Sequence, residues 1–262
     1  MTIAISTALL LAIAGAPADP GPGVGPVVAA PSQPQKTPQQ GDRPAEEPAV
    51  QTDEPKETET GGKPDTGQEG ETAAPPVSSE PKLATFGGGC FWCTEAVFEL
   101  VKGVGDVVSG YSGGRVPFPS YEQVSTGLTG HAEVIQVTYD PSVVSYAELL
   151  EIFWKTHDPT TLNRQGPDIG TQYRSIILAH DQAQFDEAKE LKAKLNEAKV
   201  FRKPVVTQVV PIEAFFPAEP YHQDYFRKHP NAGYCQFQII PKLKKFSQVF
   251  RDKMKGAPGN GG

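Results

Sequence analysis

Between Pro17 and Lys82 the chain has no aromatic residue and almost no large aliphatic one. Such a stretch buries too little apolar surface to offset the entropy of its backbone, so its composition predicts disorder. Cysteine is scarce as well. Three cysteines in 262 residues, unevenly spaced, exclude a disulfide-scaffolded mini-domain. No second C-x-x-C and no close His pair accompanies them, so a zinc site lacks ligands. Nothing signals another metal or an organic cofactor. There is no basic excess: Lys and Arg number 24 against 31 Asp and Glu, a net charge of −7. Phosphate recognition needs a basic surface, so no nucleic-acid partner is expected. Long apolar runs are missing too. Ile3–Ala16 spans only 14 residues, short for a membrane crossing.

What is present divides by position. Pro17–Lys82 holds 14 of the 26 prolines and 12 acidic against 5 basic residues, so the whole −7 lies there. From Leu83 onward 19 acidic and 19 basic residues cancel, and this part carries all 23 aromatic residues, all 3 cysteines and all 5 histidines. The shift predicts a boundary near Lys82. Residues 1–18 are expected to be a signal peptide, 19–82 a Pro/Glu-rich linker, 83–250 the folded domain and 251–262 a flexible tail. The signal reading rests on Ile3–Ala16 and the small residues after it, although no Lys or Arg precedes the run. It implies a periplasmic or extracellular protein, with a cytoplasmic one as the alternative. Left uncleaved, the segment would tether the domain to a membrane.

In the folded part, Lys82–Gly88 alternates into a glycine cluster like a first strand, and a helix is expected from about Cys90 to Val101. Strands are predicted at Asp106–Tyr111, Val134–Tyr139, Tyr173–Ala179 and Pro204–Val210. Ser145 followed by Glu148 reads as a capping box opening a helix. Asp181–Lys199 reads as an amphipathic helix with Phe185, Ala188, Leu191 and Leu195 on one face. Pro220–Lys228 reads as a short helix and Cys235–Ile240 as a short extended piece. Strands alternating with helices indicate a layered α/β domain with a mixed sheet.

The chemistry concentrates in a few motifs. In Gly87-Gly88-Gly89-Cys90-Phe91-Trp92-Cys93 the glycines allow a tight strand-to-helix turn. A cysteine at the first helical turn meets unpaired N–H groups and the positive end of the dipole, which favour thiolate. Cys93, three residues on, lies on the same face. Phe91 and Trp92 have the chemistry to wall a pocket for a methyl or thioether group. Glu133 enters a strand from the turn Thr129-Gly130-His131 and is a candidate general acid if held dry. The polar stretch His157–Arg174 is a long connection of the kind that carries function. A thioredoxin-like disulfide oxidoreductase would account for the C-x-x-C, but not for His131-Ala132-Glu133 or the third thiol at Cys235.

Taken in order, GGCFWCTEA, GYSGG, SYEQVSTG, TGHAEVIQVTYDP, HDPTTLNRQGPDIGTQYRS, AEPYHQDY and YCQFQIIPKL resemble peptide methionine sulfoxide reductase A, from Leu83 to about Phe250. The resemblance implies a two-layer α/β sandwich on a mixed β-sheet. It also implies reduction of methionine S-sulfoxide, free or in oxidised proteins, with a thioredoxin-like reductant and no metal or cofactor. A monomer is expected. By the family pattern Cys90 is the nucleophile and Glu133 the proton donor. Tyr121 and Tyr173 bind the sulfoxide oxygen, and Asp168 organises the site. Phe91 and Trp92 hold the S-methyl group, with His222 and Asp224 nearby. The resolving thiol stays open between Cys93 and Cys235. The carboxy-terminal position favours Cys235, because Cys93 lies inside a helix. Ser125 stands where relatives often carry a cysteine.

Overall fold

The computed structural model describes residues 80–256. The expected signal segment and the linker up to residue 79 lie outside the described residues, as do residues 257–262. β1 (Lys82–Gly88) pairs antiparallel with β3 (Ala132–Tyr139) on one side and with β6 (Ser175–Ala179) on the other. β3 pairs antiparallel with β2 (Val104–Ser112), and β2 with β8 (Phe215–Pro217). β6 pairs parallel with β7 (Gln208–Pro211). The order β7-β6-β1-β3-β2-β8 is therefore a six-stranded mixed sheet. A separate hairpin joins β4 (Arg164–Gln165) to β5 (Asp168–Ile169).

Side chains alternate across the sheet, and this alternation builds the second layer. Ala84 and Phe86 of β1, Ile135 and Val137 of β3, Tyr111 of β2 and Ile177 of β6 belong to one large buried cluster with the helices. The helices are α1 (Phe91–Phe98), α2 (Tyr121–Ser125), α3 (Tyr146–Thr156), α4 (Gln182–Glu197), α5 (Tyr225–Lys228) and α6 (Ile240–Val249). Ala132, Val134, Ile176 and Leu178 point the other way, into a smaller cluster with Val210, Ile212 and Phe215. This is the expected two-layer α/β arrangement. Phe86 stacks on Phe98 and Phe153 at 5.3 and 5.1 Å, fixing α1 and α3 over the centre of β1. Burying one such side chain contributes roughly 1.5–3 kcal/mol.

Local chemistry accounts for several boundaries. Ser145 caps α3 by accepting from Glu148 N–H, and the Glu148 carboxylate accepts from Ser145 N–H in return. Asp181 caps α4 through Gln184 N–H. Gln184 takes an inward position on α4 with Ala188, Leu191 and Leu195, while Phe185 is only half-buried. Gln184 donates to Leu83 O, tying α4 to β1.

Some expectations need correction. Cys235–Ile239 is a wide helical turn that runs into α6, not an extended piece. Its apolar alternation suggests a strand, but Cys235 and Ile239 are the two buried residues, at helical spacing, and Phe237 is exposed. Thr171–Tyr173 is a tight helical turn, so β6 starts at Ser175 rather than Tyr173. The strand after α4 is Gln208–Pro211 rather than Pro204–Val210. The region expected to be a flexible tail from residue 251 begins as docked chain. Lys102 N–H donates to Lys253 O and Lys255 N–H to Leu100 O.

Candidate active site

Antiparallel neighbours bring the chemical motifs to one end of the sheet. β1 ends at Gly88 beside the start of β3 and the start of β6, and β2 ends beside the start of β3. Cys90 therefore follows β1 where Glu133 opens β3, with Tyr173 just before β6 and Tyr121 in the connection after β2. Gly89 makes the turn with φ +97, a conformation that disfavours side chains. A Cβ at Gly87 would meet the Glu133 carbonyl oxygen at 2.8 Å, so glycine allows β1 to lie against that residue.

Cys90 is the residue before α1, with φ −56 and ψ 127, outside the helical spiral. The first free N–H of α1, that of Phe91, donates to Glu133 Oε2 at 3.0 Å. The helix terminus beside Cys90 and the Glu133 carboxyl are thus joined in one contact. Glu133 is buried, and burial pushes its carboxyl up to about 8 against the pull of the Phe91 N–H; the Asp168 and Cys93 charges add to the rise. It is therefore a protonated acid at neutral pH.

Cys90 and Cys93 titrate as a pair. The neighbouring Cys90 thiol brings the Cys93 thiol down to about 6, against burial and with help from the Lys242 charge. Burial first, then Cys93 and the Glu133 charge, hold Cys90 well up. The pair gives up one proton easily and keeps the second. Sequence reasoning expected the helix terminus to favour a Cys90 thiolate, but the terminal N–H is committed to Glu133. All three cysteines are free and buried. The Cys235 thiol is pushed up by burial and by Cys93.

Burial holds the phenols of Tyr121 and Tyr173 well above the ordinary tyrosine range, and both feel the charges of Glu133 and Cys90. They remain hydroxyl donors beside the acid. Asp168, half-buried, accepts from Tyr234 Oη at 2.8 Å, and the same oxygen lies 3.7 Å from Cys93 Sγ. Trp92 stacks face to face on Tyr225, ring centroids 3.6 Å apart, and meets Tyr234 edge-on at 5.8 Å. Its indole N–H donates to His222 Nδ1 at 3.2 Å. His222 is neutral, because burial brings it down to about 4, and its ring lies 5.0 Å from Phe91 and 4.5 Å from Tyr121.

The arrangement unites a dithiol, a dry carboxylic acid, two phenols and an aromatic wall. The family model for peptide methionine sulfoxide reductase matches residues 82–254, and so takes in all of them. The chain belongs to that family. A peptide methionine sulfoxide reductase MsrA of Sulfolobus acidocaldarius is 60% identical over 172 residues, covering 66% of this chain and 97% of that protein. One from Rhodopirellula baltica is 55% identical over 176 residues, covering 67% and 91%. Among solved structures, reduced Mxr1 from Saccharomyces cerevisiae has a TM-score of 0.54 at 37% identity, covering 62% of this chain and 92% of that one. Methionine sulfoxide reductase A of Corynebacterium diphtheriae has a TM-score of 0.53 at 34% identity, covering 58% and 76%.

Within this reductase-family site, one residue singled out by the sequence stands apart. The Asp224 carboxylate pairs with Arg227 and lies 3.5 Å from Lys228 on the surface, while Arg227 also reaches Glu99 at 3.2 Å. Other residues enter that the motifs alone did not single out. Glu219 accepts from Tyr111 Oη and from Tyr121 N–H, both at 2.9 Å, and so sets the start of α2. Tyr225 and Tyr234 flank Trp92. The adjacency of Tyr234 to Cys235, and of Glu219 and Tyr225 to His222, is the signal that could have found them.

Proposed function

We propose that this protein reduces methionine S-sulfoxide, free or in oxidised proteins, to methionine. Cys90 is the nucleophile and Glu133 the proton donor. The observation that carries the reading is a buried, protonated Glu133 hydrogen-bonded to the N–H next to Cys90. A sulfoxide sulfur accepts a nucleophile only when its oxygen is protonated or strongly hydrogen-bonded. Glu133 supplies that proton, and the phenols of Tyr121 and Tyr173 bind the same oxygen. Trp92, held by Tyr225 and His222, walls the S-methyl pocket with Phe91.

When the sulfoxide binds, the Cys90 proton passes to Cys93. The Cys90 thiolate attacks the sulfoxide sulfur, Glu133 gives its proton to the oxygen, and that oxygen passes to Cys90 as methionine leaves, which makes a sulfenic acid. The Cys93 sulfur then attacks the Cys90 sulfur while its proton goes to the departing hydroxyl, so a disulfide forms and the oxygen leaves as water. We assign this step to Cys93 because its thiol is coupled to that of Cys90 and because Cys90 lies outside α1, so only the first helical turn adjusts. Cys235, whose sulfur is close enough to Cys93 to feel its charge, serves a later exchange. A thioredoxin-like dithiol restores the enzyme by thiol–disulfide exchange. The apolar run Ile3–Ala16 supports export, and the protein works as a monomer.

An assay with dithiothreitol on separated epimers tests the reaction. Turnover of the S epimer alone, abolished by Cys90→Ser, is expected; turnover of the R epimer alone overturns the proposal. Cys93→Ser is expected still to allow one turnover that ends at the Cys90 sulfenic acid, more slowly because the proton acceptor is gone, and to slow recycling at least tenfold, with a smaller effect of Cys235→Ser. The reverse order would move the resolving role to Cys235. Intact mass of the secreted chain tests export: retention of Met1 counts against cleavage.

A further inference from the structure

Cys93, itself only 1% exposed, borders a narrow depression of about 10 Å³ lined by Gly88, Thr94, Thr156, His157 and Lys242, among others. None of Glu133, Tyr121 or Tyr173 lines it. Thr156 and Lys242 also border an adjoining depression with Lys155, Lys245 and Phe246. The two hollows share Thr156 and Lys242 and together make a shallow groove bordered by Cys93 and three lysines, and no acidic side chain lines either part.

Lys242 is the cation common to both hollows. Its charge reaches Cys93, His157 and Asp168. Lys242 and Lys245 make no hydrogen bond or ion pair among the described residues, whereas Lys155 lies 3.6 Å from Glu151 and over the Phe250 ring. His157 adds no charge: burial brings it down to about 4, and its nitrogens are engaged by Phe153 O and Ser175 Oγ. An unpaired ammonium beside a reactive sulfur, with hydroxyls around it, suits an anion that carries a thiol.

We infer that this groove is an entry site for a small thiol bearing carboxylates, which Lys242 steers onto Cys93 to reopen the Cys90–Cys93 disulfide. The inference rests on the reductase reading above and adds the chemical class of a reductant and its route. The incoming thiolate attacks Cys93 Sγ, the Cys93–Cys90 bond breaks, and its electron pair leaves on Cys90 as thiolate. Cys93 is then a mixed disulfide. A second molecule of the thiol attacks the outer sulfur and releases the Cys93 thiolate. Two external thiols are oxidised to one disulfide, and the enzyme regains two thiols.

The test compares mercaptosuccinate, an anionic monothiol, with 2-mercaptoethanol as reductants of the full chain. Lys242→Gln is expected to lower kcat/KM for mercaptosuccinate roughly threefold to fivefold, the size of one partly screened charge pair, and Lys242→Glu to lower it further. Lys242→Arg restores it. The value for 2-mercaptoethanol falls less, only by the part that comes from the Lys242 charge on the Cys93 thiol, and the KM for sulfoxide stays within twofold. Equal losses for both thiols, or none for either, overturn the groove. A second measurement needs no turnover. In the reduced protein, the ratio of Cys93 alkylation by iodoacetate to that by iodoacetamide is expected to fall threefold or more in Lys242→Gln; an unchanged ratio overturns the groove. Failure of both thiols to support turnover in the unsubstituted chain, with this ratio still dependent on Lys242, would strike the reductase reading and leave an anion-selective groove.

Discussion

Glu133 and the Cys90–Cys93 pair ionise at opposite edges of the neutral range, and the proposed mechanism needs them in opposite states. The dithiol must lose one proton, which it does at about 6, and Glu133 must keep its proton, which it does up to about 8. The profile of kcat/KM against pH is therefore expected to be a bell, rising through about 6 and falling through about 8. Glu133→Gln should lower the rate by two to four orders of magnitude, roughly the contribution of a positioned acid, and remove the alkaline limb. A variant that kept both the rate and the limb would remove Glu133 from the chemistry. The tyrosines behave differently. Their phenols are held well above the ordinary range by burial, so no limb of the profile belongs to them.

At the scale of elements, two capping boxes of the same chemistry serve different ends. Ser145 caps α3, whose buried face includes Leu149, Ile152, Phe153 and Trp154. Ser120 caps α2, whose first residue is Tyr121 and whose inward residue is Val124. Ser145→Ala is expected to cost about 1 kcal/mol of stability, or roughly 2–4 °C in Tm, with kcat/KM unchanged. Ser120→Ala loosens a helix of five residues that carries a site phenol. Its effect should appear as a loss of roughly fivefold in kcat/KM with little change in Tm. Calorimetry and steady-state assays on the two variants separate these outcomes. Both elements show what patterns convey. The Ser145–Glu148 spacing was legible because a capping box is local. The wide turn at Cys235–Ile239 was not, because CQFQII alternates like a strand and only packing against the core selects the helical spacing of Cys235 and Ile239.

Over the whole molecule, Glu95 links three separate pieces of chain. It accepts from Ser109 Oγ on β2 at 3.1 Å and from Tyr225 N–H at the start of α5 at 3.2 Å, while itself lying on α1. Burial pushes it up to about 7 from 4.5. A carboxyl raised on folding stabilises the protein fully below its unfolded value, and that contribution is lost as pH rises through the folded value. Between pH 5 and pH 8 the unsubstituted protein should therefore lose about 1–3 kcal/mol relative to Glu95→Gln, read from denaturant unfolding of the two chains. A constant difference would mean that Glu95 does not titrate in the fold. Glu95 lies in the motif GGCFWCTEA, yet nothing in that motif marks it as a joint, because its partners lie outside the motif, Ser109 14 residues on and Tyr225 130 residues on. The sequence by itself determined the strand into the glycine turn, the capped helix after Ser145 and the membership of the reductase family, because caps and short motifs are local properties. The tertiary structure alone decided that the helix-terminal N–H serves Glu133, that Cys93 is coupled to Cys90, that Asp224 pairs with Arg227 and Lys228, and that Lys242 shares a hollow with Cys93. Each of these depends on which strand ends meet, and antiparallel pairing of β1, β3 and β6 sets that at distances no local pattern spans.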